Sequence, residues 1–146
     1  MACVLYIHIL SACAWIGGSI VLFGLGLFIR DKTTQNTVYG SIGPFYGYFE
    51  TGWLLILIAT GLMLANQYQL FGEIQTGTEL GNIFRLKMLL VVLLSIATLI
   101  HLYIAFATHK TTRTFLQTIL SRGGSLAIFI LNLAISWVAI ILRSAL

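Results

Sequence analysis

Charge is what this sequence has least of. Only 8% of its 146 residues are Asp, Glu, Lys or Arg, against 59% hydrophobic, and its mean hydropathy is +0.99. A soluble domain carries about 25% charged residues, so the chain cannot dress itself in a polar shell. Proline occurs once, at Pro44, which leaves long stretches with nothing to break a helix. Cysteine occurs twice, at Cys3 and Cys13. Ten residues along one helix separate them by about 15 Å, beyond the reach of a disulfide. Met63 and Met88 stand alone, so there is no methionine-rich copper motif. The net charge of +4 comes from basic residues flanking apolar runs, which sets topology in a membrane and is no nucleic-acid signature.

Four apolar runs remain, too long for buried helices of a soluble domain. They predict spans at about 3–29, 46–65, 83–107 and 124–142. The fold expected is all-α: a polytopic membrane protein forming one antiparallel four-transmembrane-helix bundle, a single membrane domain. The first run lacks a basic leader and is longer than a signal-peptide core, so it reads as a retained helix. The linker to Phe45 is polar and turn-rich, with Pro44 suited to the first turn of the second helix. The second linker, Asn66 to Asn82, carries Glu73 and Glu79. The third holds His109, Lys110, Arg113 and Arg122. Within it Phe115, Leu116, Ile119 and Leu120 repeat at helical spacing, as in a short surface helix. Five basic residues in the first and third linkers face three on the other side. The positive-inside rule then places both termini outside (periplasmic) in a bacterial-type cytoplasmic membrane.

An ionisable side chain inside such a run is costly and reads by default as functional. His8 lies in the first run, with Trp15 seven residues on along the same helical stripe and Gly17-Gly18 following. His8 and Lys87 each sit about 6–8 Å below the outer edge of their helices and can face each other. His101 is about 21 Å deeper than Lys87, so it cannot share one haem with His8. Glu50 and His101 fall at similar depth and form a second, weaker candidate site. Ser125, Asn132, Ser136 and Ala139 make a small and polar stripe expected to face the bundle interior. Each residue also has a structural reading. His8 can donate to a backbone carbonyl, Lys87 can snorkel to headgroups, and Trp15, Trp53 and Trp137 can simply pack.

Three motifs carry a resemblance. His8 followed by Trp15-Ile16-Gly17-Gly18, then the run Trp53 to Leu64 with Thr60-Gly61, then Arg85-Leu86-Lys87-Met88-Leu89-Leu90-Val91 resemble the copper resistance D-like membrane family. That family is similar to the HemJ-type protoporphyrinogen oxidases, small four-helix membrane proteins. The resemblance implies bound haem b, with His8 and Lys87 at the positions essential in the HemJ-type proteins. Trp15 and the Gly17-Gly18 notch would then offer the porphyrin an apolar slot. It further implies a redox role, with a porphyrinogen substrate and a quinone or periplasmic electron partner. The alternatives are a copper transport or resistance protein, with His8, His101 and Met63 along a path, and a cofactor-free subunit of a larger membrane complex. Lipid is a partner on every reading, and the small extramembrane mass favours an oligomer or a subunit of a complex.

Overall fold

The computed structural model describes residues 2–107 and 115–146, and the backbone alone at 36, 44, 105 and 115–122. It is built of α1 (Ala2–Phe28), α2 (Lys32–Gln67), α3 (Leu70–Thr76), α4 (Glu79–Ala107) and α5 (Phe115–Ala145). Four stretches are long and apolar enough to cross a membrane: Ala2–Phe28, Phe45–Gln67, Glu79–Ile104 and Gly123–Ala145. No strand occurs among the described residues. The chain is an all-α membrane protein, as its shortage of charge required.

The long helices form two hairpins. α1 lies chiefly against α2 and α4 chiefly against α5, while α2–α4 and α1–α5 contacts are sparser and close the ring. Both chain termini fall at one end, called here the terminal end; the α1–α2 connection marks the turn end. Midway, each helix gives one residue to an apolar layer of Trp15, Leu54, Leu94 and Ile128. Nearer the terminal end a second cluster joins Ala65, Leu70, Phe84 and Leu142, with Tyr68 and Met88 packed on it. In lipid the tails are as apolar as Leu, so helix association rests on close packing and hydrogen bonds more than on solvent exclusion.

Three linker expectations need correction. The first linker is not a loop up to Pro44: α2 begins at Lys32 and runs unbroken through position 44. Asp31 caps it, accepting from the Thr34 N–H at 2.8 Å and from its hydroxyl at 2.6 Å. The early turns are then tied to α1, with Gln35 Nε2 donating to the Gly26 carbonyl and Tyr39 Oη to that of Leu22. The second linker contains α3, whose Leu70 is buried in the second cluster. The Arg85 guanidinium donates to the Ile74 carbonyl, and Glu73 Oε2 accepts from Thr78 Oγ1 at 2.7 Å. The segment from Phe115 is no separate surface helix but the first turns of α5. His109, Lys110 and Arg113 lie outside the described residues, as does the Arg122 side chain. Of the stripe on α5, Asn132 is buried, Ser136 and Ala139 are half-buried, and Ser125 is exposed.

Two outcomes follow. A methyl at Gly81 would overlap the Glu73 carbonyl, which is backbone and cannot swing aside, whereas one at Gly72 meets nothing within 4 Å. Gly81→Ala should therefore cost about 1–3 kcal/mol, and Gly72→Ala should leave the melting temperature level or higher, measured by thermal unfolding. The bonds from Thr34 hold the Asp31 carboxyl below its ordinary range. Its capping contribution is thus complete above the unfolded value, near pH 4, and is lost as pH falls through the lower folded value. Hydrogen exchange of the 33–37 amides should quicken over that acid window, and Asp31→Ala should remove the pH dependence.

Candidate functional site

α1 faces α2 with a stripe of His8, Ser11, Trp15, Gly18, Leu22 and Gly26, spaced three or four apart. Ser11 is fully buried and returns its hydroxyl to the Ile7 carbonyl at 2.7 Å. The other residues meet α2 in successive rungs, His8 at Thr60 and Gly61, Trp15 at Glu50, and Gly18 at Tyr46.

The first rung determines which histidine nitrogen is available. His8 Nδ1 lies 2.8 Å from Thr60 Oγ1. That hydroxyl has one hydrogen, directed at the Ile56 carbonyl at 2.6 Å. With the hydroxyl acting as the acceptor on this side, Nδ1 carries the proton, an assignment made from the hydrogen-bond network. Nε2 is left with its lone pair. The ring lies close over Gly61, where a Cβ would come within 3.2 Å of His8 Cε1. A side chain there would require the imidazole to shift by a few tenths of an ångström.

Lys87 approaches from α4, diagonally across the ring of helices. Its charge acts on the His8 imidazole, and it has no hydrogen-bond or ion-pair partner among the described residues. Both groups belong to the terminal half of the bundle. There α3 and the cluster around Leu70, Phe84 and Leu142 cover the end, with Met88 packed beside Lys87 in sequence.

The remaining candidates go elsewhere. Trp15 is 3% exposed, sits in the middle apolar layer, and donates its indole N–H to Glu50 Oε1 at 3.0 Å. The notch at Gly18 holds the Tyr46 ring, whose hydroxyl would lie 2.9 Å from a Cβ placed there. Trp15 thus packs within the α1–α2 interface, and Gly18 with Tyr46 also lines the groove on its turn side. Glu50 takes Trp15 as its partner, while His101 packs beside Gly124 of α5, its Nδ1 3.5 Å from a Cβ placed there. Cys3 and Cys13 are free thiols on the exposed side of α1. Among the described residues no three His, Cys, Asp or Glu side chains gather as a metal-binding group. An apolar groove of about 220 Å³ opens between α1 and α2 nearer the turn end, lined by Val21, Leu22, Leu25, Phe45 and Phe49 among others.

Residue order alone did not pair Thr60 with His8 or Glu50 with Trp15, although a signal was present. Thr60 lies about as far from the terminal end of its helix as His8 does, and Glu50 about one turn farther than Trp15. No family model matches the chain, and neither a curated protein nor a solved structure matches it.

Removing the indole N–H while keeping an aromatic ring isolates the effect of the second rung. Trp15→Phe leaves Glu50 Oε1 buried and unpaired, an expected loss of about 1–3 kcal/mol before any cavity effect, read from unfolding in detergent. A melting temperature equal to the parent's would show that the bond contributes nothing.

Proposed function

We propose that the chain is a haem b-binding membrane protein with a redox role, held to its cofactor by His8 of α1 and Lys87 of α4. The observation that carries this is the 2.8 Å contact between His8 Nδ1 and Thr60 Oγ1, from which the tautomer is assigned. A metal-binding histidine donates its other ring nitrogen to a neighbouring acceptor, which sets ring orientation and raises ligand basicity. The Thr60 hydroxyl supplies that acceptor, which leaves Nε2 available to ligate. Lys87 brings an unpartnered positive charge to the same end, suited to a haem propionate. Pairing there keeps the lysine protonated, whereas ligating iron would require a neutral amine.

The donor count favours haem over copper. A protein-held copper ion needs several donors and prefers sulfur when reduced, and no three-residue group of His, Cys, Asp or Glu occurs among the described residues. Haem brings four nitrogens of its own and asks only one or two ligands of the protein. Haem iron would supply one-electron redox chemistry; the chain's residues would bind it, orient it and keep water away. With both termini outside, the site would face the periplasmic side of a bacterial cytoplasmic membrane, within reach of a quinone or a periplasmic electron partner. Oxidation of a porphyrinogen, as in the HemJ-type proteins, is the catalytic form of this reading.

The absorption spectrum of the purified protein tests it. A Soret band should be present, and His8→Ala should abolish it. Thr60→Val, which removes the acceptor and keeps the side-chain volume, should weaken haem retention about 10–100-fold. Lys87→Ala should weaken retention and Lys87→Arg restore it, since arginine pairs with a propionate but does not ligate iron. Colourless protein carrying stoichiometric copper would replace this reading with copper transport. Protein with neither would leave a structural subunit.

A further inference from the structure

Helices α2 and α4 meet along a stripe bounded by two contacts. Toward the turn end Gly47 abuts Leu102, whose Cδ1 would lie 3.0 Å from a Cβ on the glycine. Toward the terminal end Leu54 and Leu94 share the middle apolar layer. Between these contacts α2 places Glu50, three residues after Gly47 and four before Leu54. α4 places Thr98, four residues after Leu94 and four before Leu102. Helical spacing keeps each residue on the stripe of its neighbours. Glu50 and Thr98 therefore share one level of the α2–α4 interface, and both are buried, at 6% and 3% exposure.

Each has hydrogen-bonding capacity left over. Glu50 Oε1 accepts the Trp15 indole, while Oε2 accepts nothing among the described residues. Thr98 Oγ1 is buried without a hydrogen bond. Among the described residues the Tyr46 hydroxyl is likewise buried without a bond, but the serine and threonine hydroxyls of the spans behave otherwise. Ser11, Ser19, Thr51, Thr60, Ser95 and Ser136 all return their hydroxyls to the carbonyl four residues back, at 2.6–3.1 Å. That bond is the ordinary way for a helix to satisfy a hydroxyl away from water. Thr98 does not make it, and its level on α4 matches that of Glu50 on α2.

We propose that Glu50 and Thr98 hold an internal water molecule between α2 and α4. The water donates to Glu50 Oε2 and accepts from Thr98 Oγ1, completing both groups with the two or more polar partners a buried water needs. The site lies on the turn side of the apolar layer, away from His8 and Lys87, and does not depend on a cofactor. Its donors are all oxygen, a set that also suits a sodium ion, so the experiment must tell the two apart.

Thr98→Val keeps the side-chain shape and deletes the hydroxyl. Removing a buried hydroxyl that has no partner is stabilising, whereas removing one that anchors a water is destabilising. In the whole protein reconstituted in lipid nanodiscs, Thr98→Val should lower Tm, and the loss should vanish in a Glu50→Leu background. If that background does not fold, infrared difference spectra between Thr98→Val and parent in ordinary and ¹⁸O water give a second reading. A band that shifts with ¹⁸O in the parent should be missing in the variant. A raised Tm for Thr98→Val, or the absence of any ¹⁸O-sensitive difference band, overturns the proposal. A parent Tm that changes when sodium is replaced by choline also overturns it, in favour of a cation.

Discussion

Hydrocarbon offers no water to a polar group, so every donor and acceptor within a span has to be answered from inside the protein. This constraint organises the first hairpin. Most span hydroxyls fold back on their own helix. The two side chains that cannot do so, the His8 imidazole and the Trp15 indole, reach across to α2 and find Thr60 and Glu50. Those two bonds, with the ties from Gln35 and Tyr39 near the turn end, hold the register of α1 against α2. A slip of one residue would leave both donors buried without acceptors, whereas a purely apolar seam would tolerate it.

The polar groups are segregated along the bundle. The apolar layer of Trp15, Leu54, Leu94 and Ile128 divides the interior into two compartments of different chemistry. The terminal compartment has the His8 imidazole and the Lys87 amine. The turn-side compartment has the Glu50 carboxyl, the Thr98 hydroxyl and, beside Gly124, the His101 imidazole. Trp15 belongs to both the division and the seam, since its ring fills the layer while its N–H reaches down to Glu50. A tryptophan read as a cofactor wall is here a partition, which explains why it is almost wholly buried instead of lining an opening.

The spans and the fold class were legible because they depend only on summed hydropathy and length. The grouping of His8 with Lys87 at one end was legible too, because depth along a helix is simple counting. What residue order left open was rotation and register. Nothing in the run around Glu50 states that it turns toward Trp15 and not toward His101; that follows from how α2 is rotated against α1 and α4. The two missed stretches of helix have a different cause. Residues 32–44 are polar by composition, yet Thr37 and Ser41 satisfy their hydroxyls on the carbonyls four residues back, and Asp31 supplies the cap. Leu70 to Thr76 is too short for periodicity to register, and it is helical because Leu70 is buried against Phe84 and Leu142.

The length of the first hairpin has a consequence for the surrounding lipid. α1 has 27 residues without a charge other than that available to His8, a hydrophobic rod of about 40 Å where the hydrocarbon is about 30 Å thick. Its partner carries only one formally charged residue, Glu50, between Lys32 and Glu73, although its apolar span is bounded at Phe45 by the polar residues before it. Two rods zipped together cannot shorten separately, so the pair has to lean as a unit or stretch the bilayer beside it. The tilt of the first hairpin relative to the second then varies with membrane thickness. A thicker bilayer stands it upright and a thinner one lays it over, so lipid chain length becomes a control on the spacing between α1 and α4.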